Sequence, residues 1–89
     1  MATVHLRIKG KVQGVFFRAS AKETADKLGV KGWVKNTWDE DVEAMATGNE
    51  EAVKKFIEWC WMGPRRAVVE DVIITPAEET FFDDFLVIR

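Results

Sequence analysis

The 89-residue sequence has few of the residues that build cross-links, metal sites and membrane spans. Its one cysteine, Cys60, cannot form an internal disulfide, and its one histidine, His5, is not a metal site by itself. It contains neither a long apolar run nor a leader of the secretory type. These absences predict a cytoplasmic protein without a metal site.

An excess of charge of one sign is also missing. The chain has 13 Lys and Arg against 15 Asp and Glu, for a formal net charge of -2. Binding to nucleic acid or to an anionic membrane usually relies on a broad basic surface, so we expect neither partner. Any anion site must therefore be local. The length predicts one domain over residues 1–89. A hydrophobic content of 47% is typical of a folded globular protein.

Hydrophobic patterning predicts five strands and two helices. Val4, Leu6 and Ile8 alternate with polar residues, as in a strand with one buried face. Runs of helix formers that end at Gly29 and at Gly63-Pro64 indicate the helices. In chain order, the predicted elements are strand 4–8, helix 19–28, strand 32–37, strand 41–46, helix 50–62, strand 68–74 and strand 85–88.

This order is β-α-β-β-α-β with one additional strand, which predicts an α+β fold of the ferredoxin-like type. We expect an antiparallel sheet with both helices on one face and a short extra C-terminal strand. The first two strands then run parallel, so the segments 10–18, 36–41 and 60–66 meet at one end of the sheet. Because this fold hosts many activities, the function must be sought at that end.

The segment Gly10–Arg18 joins the first strand to the first helix. Its glycines let the backbone curl so that successive N–H groups surround an anion, and the helix N-terminus adds partial positive charge. A cation such as Arg18 in the first turn is unfavourable by about 0.3–1 kcal/mol unless an anion offsets it. The spacing alone fits two roles equally: Arg18 binds a phosphate, or it is an exposed arginine paired with a carboxylate.

Two stretches of the sequence resemble the signatures of the acylphosphatase family. Gly10–Arg18 is similar throughout to Gly-x-Val-Gln-Gly-Val, one variable residue, an aromatic and Arg. The stretch 32–36, Gly-Trp-Val-Lys-Asn, followed by Val42 and Gly48, is similar to the second signature. The resemblance covers essentially the whole chain. It implies hydrolysis of acyl phosphates to a carboxylate and inorganic phosphate, without a metal or an organic cofactor.

By motif position, the resemblance implies that Arg18 binds the phosphate and that Asn36 orients the attacking water. Backbone N–H groups for the same phosphate would come from the rest of the loop: Gln13, Gly14, Val15, Phe16 and Phe17. Considered apart from the motif, Asn36 more commonly starts a turn by bonding its own backbone.

Two features depart from the family pattern. Glu40 stands in the hairpin turn where the family has a glycine, and a left-handed conformation costs such a residue roughly 1–2 kcal/mol, so we expect a rebuilt turn. Trp38, Trp61 and Met62 are large apolar residues expected at the same end. These four residues, called the rim below, give an alternative hypothesis: a scaffold that self-associates or binds a protein partner, with little hydrolysis. Apolar side chains exposed singly need no such explanation.

Overall fold

Five strands and two helices follow one another in the predicted order. The computed structural model describes residues 1–89. Its elements are β1 (Ala2–Lys11), α1 (Phe17–Leu28), β2 (Lys31–Asn36), β3 (Val42–Gly48), α2 (Glu50–Met62), β4 (Val68–Pro76) and β5 (Phe85–Ile88). Neither helix combines the length and the apolarity that crossing a membrane would require.

The strands form one sheet in the order β4-β1-β3-β2-β5. β1 is antiparallel to β3 and β4, and β3 is antiparallel to β2, so β1 and β2 run in the same direction as predicted. β5 pairs parallel to β2, which makes the sheet mixed rather than wholly antiparallel. The reason is that residues 77–84, which connect β4 to β5, bring the chain to the start of β2. There the Gly32 N–H donates to the Asp84 carbonyl at 3.0 Å, so β5 begins beside the start of β2. The ferredoxin-like prediction is otherwise confirmed.

The core lies between the helices and one face of the sheet. A single cluster of 18 buried apolar residues includes Leu6 and Ile8 of β1 and Cys60 of α2. Phe56 of α2 meets Phe85 of β5 edge to face, with ring centroids 5.5 Å apart. Full burial of each large apolar side chain stabilises the fold by about 1.5–3 kcal/mol. The opposite face, called the open face below, carries no helix.

Local contacts and backbone conformation define the ends of both helices. Asn49 caps α2, since its Oδ1 accepts from the Ala52 N–H at 2.8 Å, and Gly29 ends α1 at φ 75°. α1 begins at Phe17, two residues before the predicted start at Ala19. Phe16 adopts a left-handed conformation at φ 63°, and its carbonyl accepts the first helical bond from the Ser20 N–H at 3.0 Å.

Candidate functional site

A cleft of about 390 Å³ lies at the end of the sheet where β1 and β2 finish. Four parts of the chain line it: the loop before α1, the first turn of α1, the last residue of β2 and the end of β5. The lining residues are Val12, Gly14, Phe16, Phe17, Arg18, Ala19, Asn36, Val87 and Arg89. The cleft thus brings together Arg18 and Asn36, which come from different motifs, and no carboxylate side chain lines it.

The loop before α1 presents unbonded backbone donors. Val12, Val15 and Phe17 are buried beneath it, whereas Phe16 is 79% exposed. None of the N–H groups of residues 13–19 donates to an acceptor in the protein. Helix α1 has neither a side-chain cap nor an acidic residue in its first turn. A run of free N–H groups at a helix N-terminus is a ready anion site.

Gly14 at φ 73° and Phe16 at φ 63° both take the left-handed conformation that curls this loop. A Cβ on Gly14 would meet no atom within 4 Å, so the space beside its backbone is open. The loop is anchored at its start by Gly10, at φ 127°, where a Cβ would collide with the carbonyl of Val68. The backbone approach between β1 and β4 therefore depends on glycine at that position.

Arg18 is half-buried in the first turn of α1. Its Nη1 donates to the carbonyl of Ile88 at 3.3 Å, and no carboxylate lies within ion-pair distance of it. The carboxylate-paired arginine that the spacing allowed is not what the structure contains. The contact with β5 orients the guanidinium and leaves its other donors available to the cleft.

Asn36 is the last residue of β2, and its side-chain amide makes no hydrogen bond within the protein. The turn is closed instead by Thr37, whose N–H donates to the Asp41 carbonyl at 2.9 Å. The Thr37 Oγ1 also accepts from the Asp41 N–H at 3.0 Å. The turn-forming role belongs to Thr37, so the amide of Asn36 is available to the cleft.

Glu40 keeps the conformation that a glycine would take. Its φ is 74°, and its N–H donates to the Thr37 carbonyl at 3.3 Å, which closes a tight turn. The expectation of a rebuilt turn is therefore wrong. The turn retains its shape with a strained residue, because its ends are held by Thr37 and Asp41.

A network of ions on the open face holds the same turn. Arg7 Nη2 lies 2.7 and 2.6 Å from the two carboxylate oxygens of Asp39. The Oδ2 of Asp41 accepts from Lys9 Nζ at 2.9 Å and from Arg7 Nε at 3.0 Å. The hydrogen bond from Lys9 is the main cause of a lowered pKa of the Asp41 carboxyl, and the bond from Arg7 lowers it further. Burial acts in the opposite direction and does not outweigh them. For Asp39, the bond from the Thr37 hydroxyl is the main cause of a lowered pKa.

Gln13 has a role that the sequence analysis missed. Its side chain does not line the cleft; Nε2 donates to the carbonyls of Thr37 and Asp41, at 2.8 Å each. The loop and the hairpin turn are therefore joined directly. The contact depends on how β1 and β2 are placed in the sheet, which the sequence does not show. The only signal in the sequence is that a glutamine occurs within the motif.

The rim residues are exposed and lie outside the cleft lining. Trp38 is 95%, Met62 69% and Trp61 47% exposed, and Glu40 is exposed as well. None of them lines the cleft, and no ring contact joins Trp38 to Trp61.

The two other residues with reactive side chains lie away from the cleft. Cys60 is buried in the core, and burial raises the pKa of its thiol, as expected of a small packing residue. His5 lies on the open face, with Nε2 at 2.6 Å from the Glu43 carboxylate, whose pKa this bond lowers. No three His, Cys, Asp or Glu side chains are grouped to hold a metal ion.

Comparison with known proteins identifies the family. The acylphosphatase family model matches residues 4–87. The acylphosphatase of Pyrobaculum arsenaticum is 51% identical over 90 residues, covering 99% of this chain and 95% of that protein. The acylphosphatase of Thiobacillus denitrificans is 49% identical over 78 residues, with 88% of each chain covered.

Solved structures agree with the sequence comparison. The crystal structure of acylphosphatase from Bacillus subtilis superimposes with a TM-score of 0.96 at 33% identity over 100% of both chains. An acylphosphatase structure from Coxiella burnetii gives 0.93 at 40% identity, over 97% of this chain and 90% of the other. The family model, sequence relatives of nearly the same length and the superimposed structures thus agree, and the chain belongs to the acylphosphatase family.

Proposed function

We propose that this chain hydrolyses acyl phosphates in the cleft between the loop, α1 and β2, and releases a carboxylate and inorganic phosphate. Family membership supports the reaction. The observation that carries the assignment to this cleft is that Arg18 and Asn36 line it together, with no carboxylate among its lining side chains. An anionic substrate therefore meets two arginine side chains, those of Arg18 and Arg89, and no acidic side chain.

The phosphate binds to the loop and to Arg18. The free N–H groups of residues 13–19 and the positive end of the α1 dipole supply the donors. The guanidinium adds charge-assisted hydrogen bonds in a planar fork that lysine cannot reproduce. Its contact with the Ile88 carbonyl holds the group in place before the substrate arrives.

The water is held by Asn36, whose amide can both donate and accept. The water oxygen attacks phosphorus, and the bond from phosphorus to the acyl oxygen breaks, with its electron pair leaving on the carboxylate. The water proton passes to a phosphate oxygen of the substrate. The carboxylate is a good leaving group, so the protein mainly supplies orientation and charge stabilisation.

We place the reaction in the reducing cytoplasm. The single cysteine, Cys60, is buried and unpaired, as is common where disulfides do not form.

The test of the proposed function is steady-state hydrolysis of acetyl phosphate by the parent and by Arg18→Ala and Asn36→Ala. Each variant should lose about 100-fold or more in kcat/KM, the effect of removing one preorganised donor. Arg65→Ala and Asn49→Ser are matched controls: Arg65 is exposed and outside the cleft, and serine keeps the cap of α2. An inactive parent, or variants as active as the controls, would overturn the assignment.

A further inference from the structure

We propose that the Gln13 side chain is a positioning residue that fixes the phosphate-binding loop relative to Asn36. The inference rests on the proposed function of the cleft. Gln13 Nε2 donates one hydrogen to the Thr37 carbonyl and the other to the Asp41 carbonyl, at 2.8 Å each. One side chain from the loop therefore holds both ends of the hairpin turn.

Each partner of this amide adjoins a part of the proposed site. Gln13 directly precedes Gly14, which lines the cleft, and Thr37 directly follows Asn36. Asp41 precedes Val42, which pairs with Asn36 across the hairpin. The amide thus joins the loop proposed to bind phosphate to the turn that follows Asn36, the residue proposed to hold water. A misplacement of about 1 Å can cost on the order of 100-fold in rate, so this spacing matters to catalysis.

Both acceptors are carbonyl oxygens, and this decides which side chains can replace glutamine. A primary amide offers two N–H donors at one nitrogen, which matches the two acceptors. An ionised glutamate would put a negative charge against both carbonyls, whereas a protonated one could donate to one of them. Methionine has similar length and no donor. These three side chains differ in hydrogen bonding at similar size.

Two of the three carboxylates of the turn are already paired, and the third, Glu40, is exposed and has no ion-pair partner. Asp39 and Asp41 of the turn are held by Arg7 and Lys9 of β1, and hydrogen bonds lower the pKa of both carboxyls. Lys11 at the end of β1 is exposed and has no ion-pair partner. A change of kcat between about pH 4.5 and 8 that appears in Gln13→Glu and in neither the parent nor Gln13→Met would therefore reflect ionisation of the glutamate at position 13.

The experiment measures kcat and KM for acetyl phosphate in the parent, Gln13→Met and Gln13→Glu from about pH 4.5 to 8. Gln13→Met should lose about tenfold in kcat at every pH, with KM changed less. Gln13→Glu should lose at least as much at the basic end and regain activity toward the acid end, as protonation supplies a donor. Binding of inorganic phosphate, measured by calorimetry, should change little in Gln13→Met, because the loop donors remain and no charge is added.

The outcomes separate this inference from the proposed function. A parent that does not hydrolyse acetyl phosphate overturns the proposed function, and this inference with it. An active parent whose kcat is unchanged in both variants overturns the positioning role alone. So does a Gln13→Glu profile parallel to that of Gln13→Met at every pH, because loss of packing alone would not titrate. Urea unfolding of each variant at both pH limits confirms that the folded protein is being compared.

Discussion

The guanidinium of Arg7 holds the carboxylate of Asp39 through Nη2, at 2.7 Å from Oδ1 and 2.6 Å from Oδ2. This pair ties the middle of β1 to the hairpin turn that follows Asn36. Asp41 at the base of the turn is tied to Arg7 and to Lys9. The turn is thus fixed from the open face by charge and from the loop by Gln13.

The carboxylates of this network predict how stability depends on pH. The pKa values of Asp39, Asp41 and Glu43 are lower in the folded protein than in the unfolded chain, so the unfolded chain takes up protons first as pH falls. Their contribution is complete above the unfolded values of about 4 and is lost as pH falls through the folded ones. The urea midpoint should be level from about pH 5 to 7 and fall below about pH 4.

Removing one member of the network should flatten that dependence. Asp41→Asn is expected to lower the free energy of unfolding by about 1 kcal/mol at neutral pH. On acidification, the variant should lose less stability than the parent. Glu58→Gln is the matched control, because Glu58 is exposed and forms no ion pair. If Asp41→Asn follows the same pH profile as the parent, the network does not contribute to acid sensitivity.

Glu40→Gly should stabilise the protein. The residue has φ 74°, a conformation that costs a side chain with a Cβ roughly 1–2 kcal/mol, partly offset by the greater freedom of glycine in the unfolded chain. We expect a net gain of about 0.5–1 kcal/mol by urea unfolding. Glu40→Gln keeps the Cβ and removes only the charge. Equal gains in both variants would attribute the effect to charge rather than to backbone strain.

Two glycines should respond differently to alanine. At Gly32, with φ 142°, a Cβ would collide with the Met45 carbonyl across the β2–β3 pair, so the strands must separate. We expect Gly32→Ala to cost about 3 kcal/mol or more. At Gly14 the space is open and only the left-handed backbone opposes a Cβ, so Gly14→Ala should cost about 1–2 kcal/mol. Similar unfolding midpoints for the two variants would contradict this difference.

Substitutions in the rim should have little effect on activity or stability. Because Trp38 is 95% exposed and outside the cleft lining, Trp38→Ser should change kcat/KM by less than about twofold and leave unfolding unchanged. Sedimentation of the parent should be independent of concentration, and Trp38→Ser combined with Trp61→Lys should not alter it. Concentration-dependent sedimentation of the parent that this double variant abolishes would favour the rim as an interface.

Much of the fold follows from local pattern. The helix over 50–62 and the strand over 85–88 match α2 and β5, because capping by Asn49, the Gly63 stop and alternating burial are local signals. The sequence pattern predicts the start of α1 two residues late, because a phenylalanine in a left-handed conformation gives no sequence signal. The direction of β5 depended on where residues 77–84 cross the end of the sheet, which local pattern does not specify.

The candidate site was predictable in part. The motif placed Arg18 and Asn36, and topology placed both at one end of the sheet. The contacts that hold them were not predictable, because Gln13 meets Thr37 across 24 positions and Arg7 meets Asp39 across 32. Such contacts depend on the strand register between β1 and β3, which pairs Arg7 with Glu43 and so brings β1 beside the turn.

The central claim is that phosphate binds in the loop before α1 with Arg18. It is tested most directly by backbone amide chemical shifts of isotope-labelled protein titrated with inorganic phosphate. The account predicts saturable shifts that are largest for residues 13–19, are lost in Arg18→Ala and persist in Arg65→Ala. Largest shifts at residues 60–66, or the same shifts in Arg18→Ala as in the parent, would contradict it.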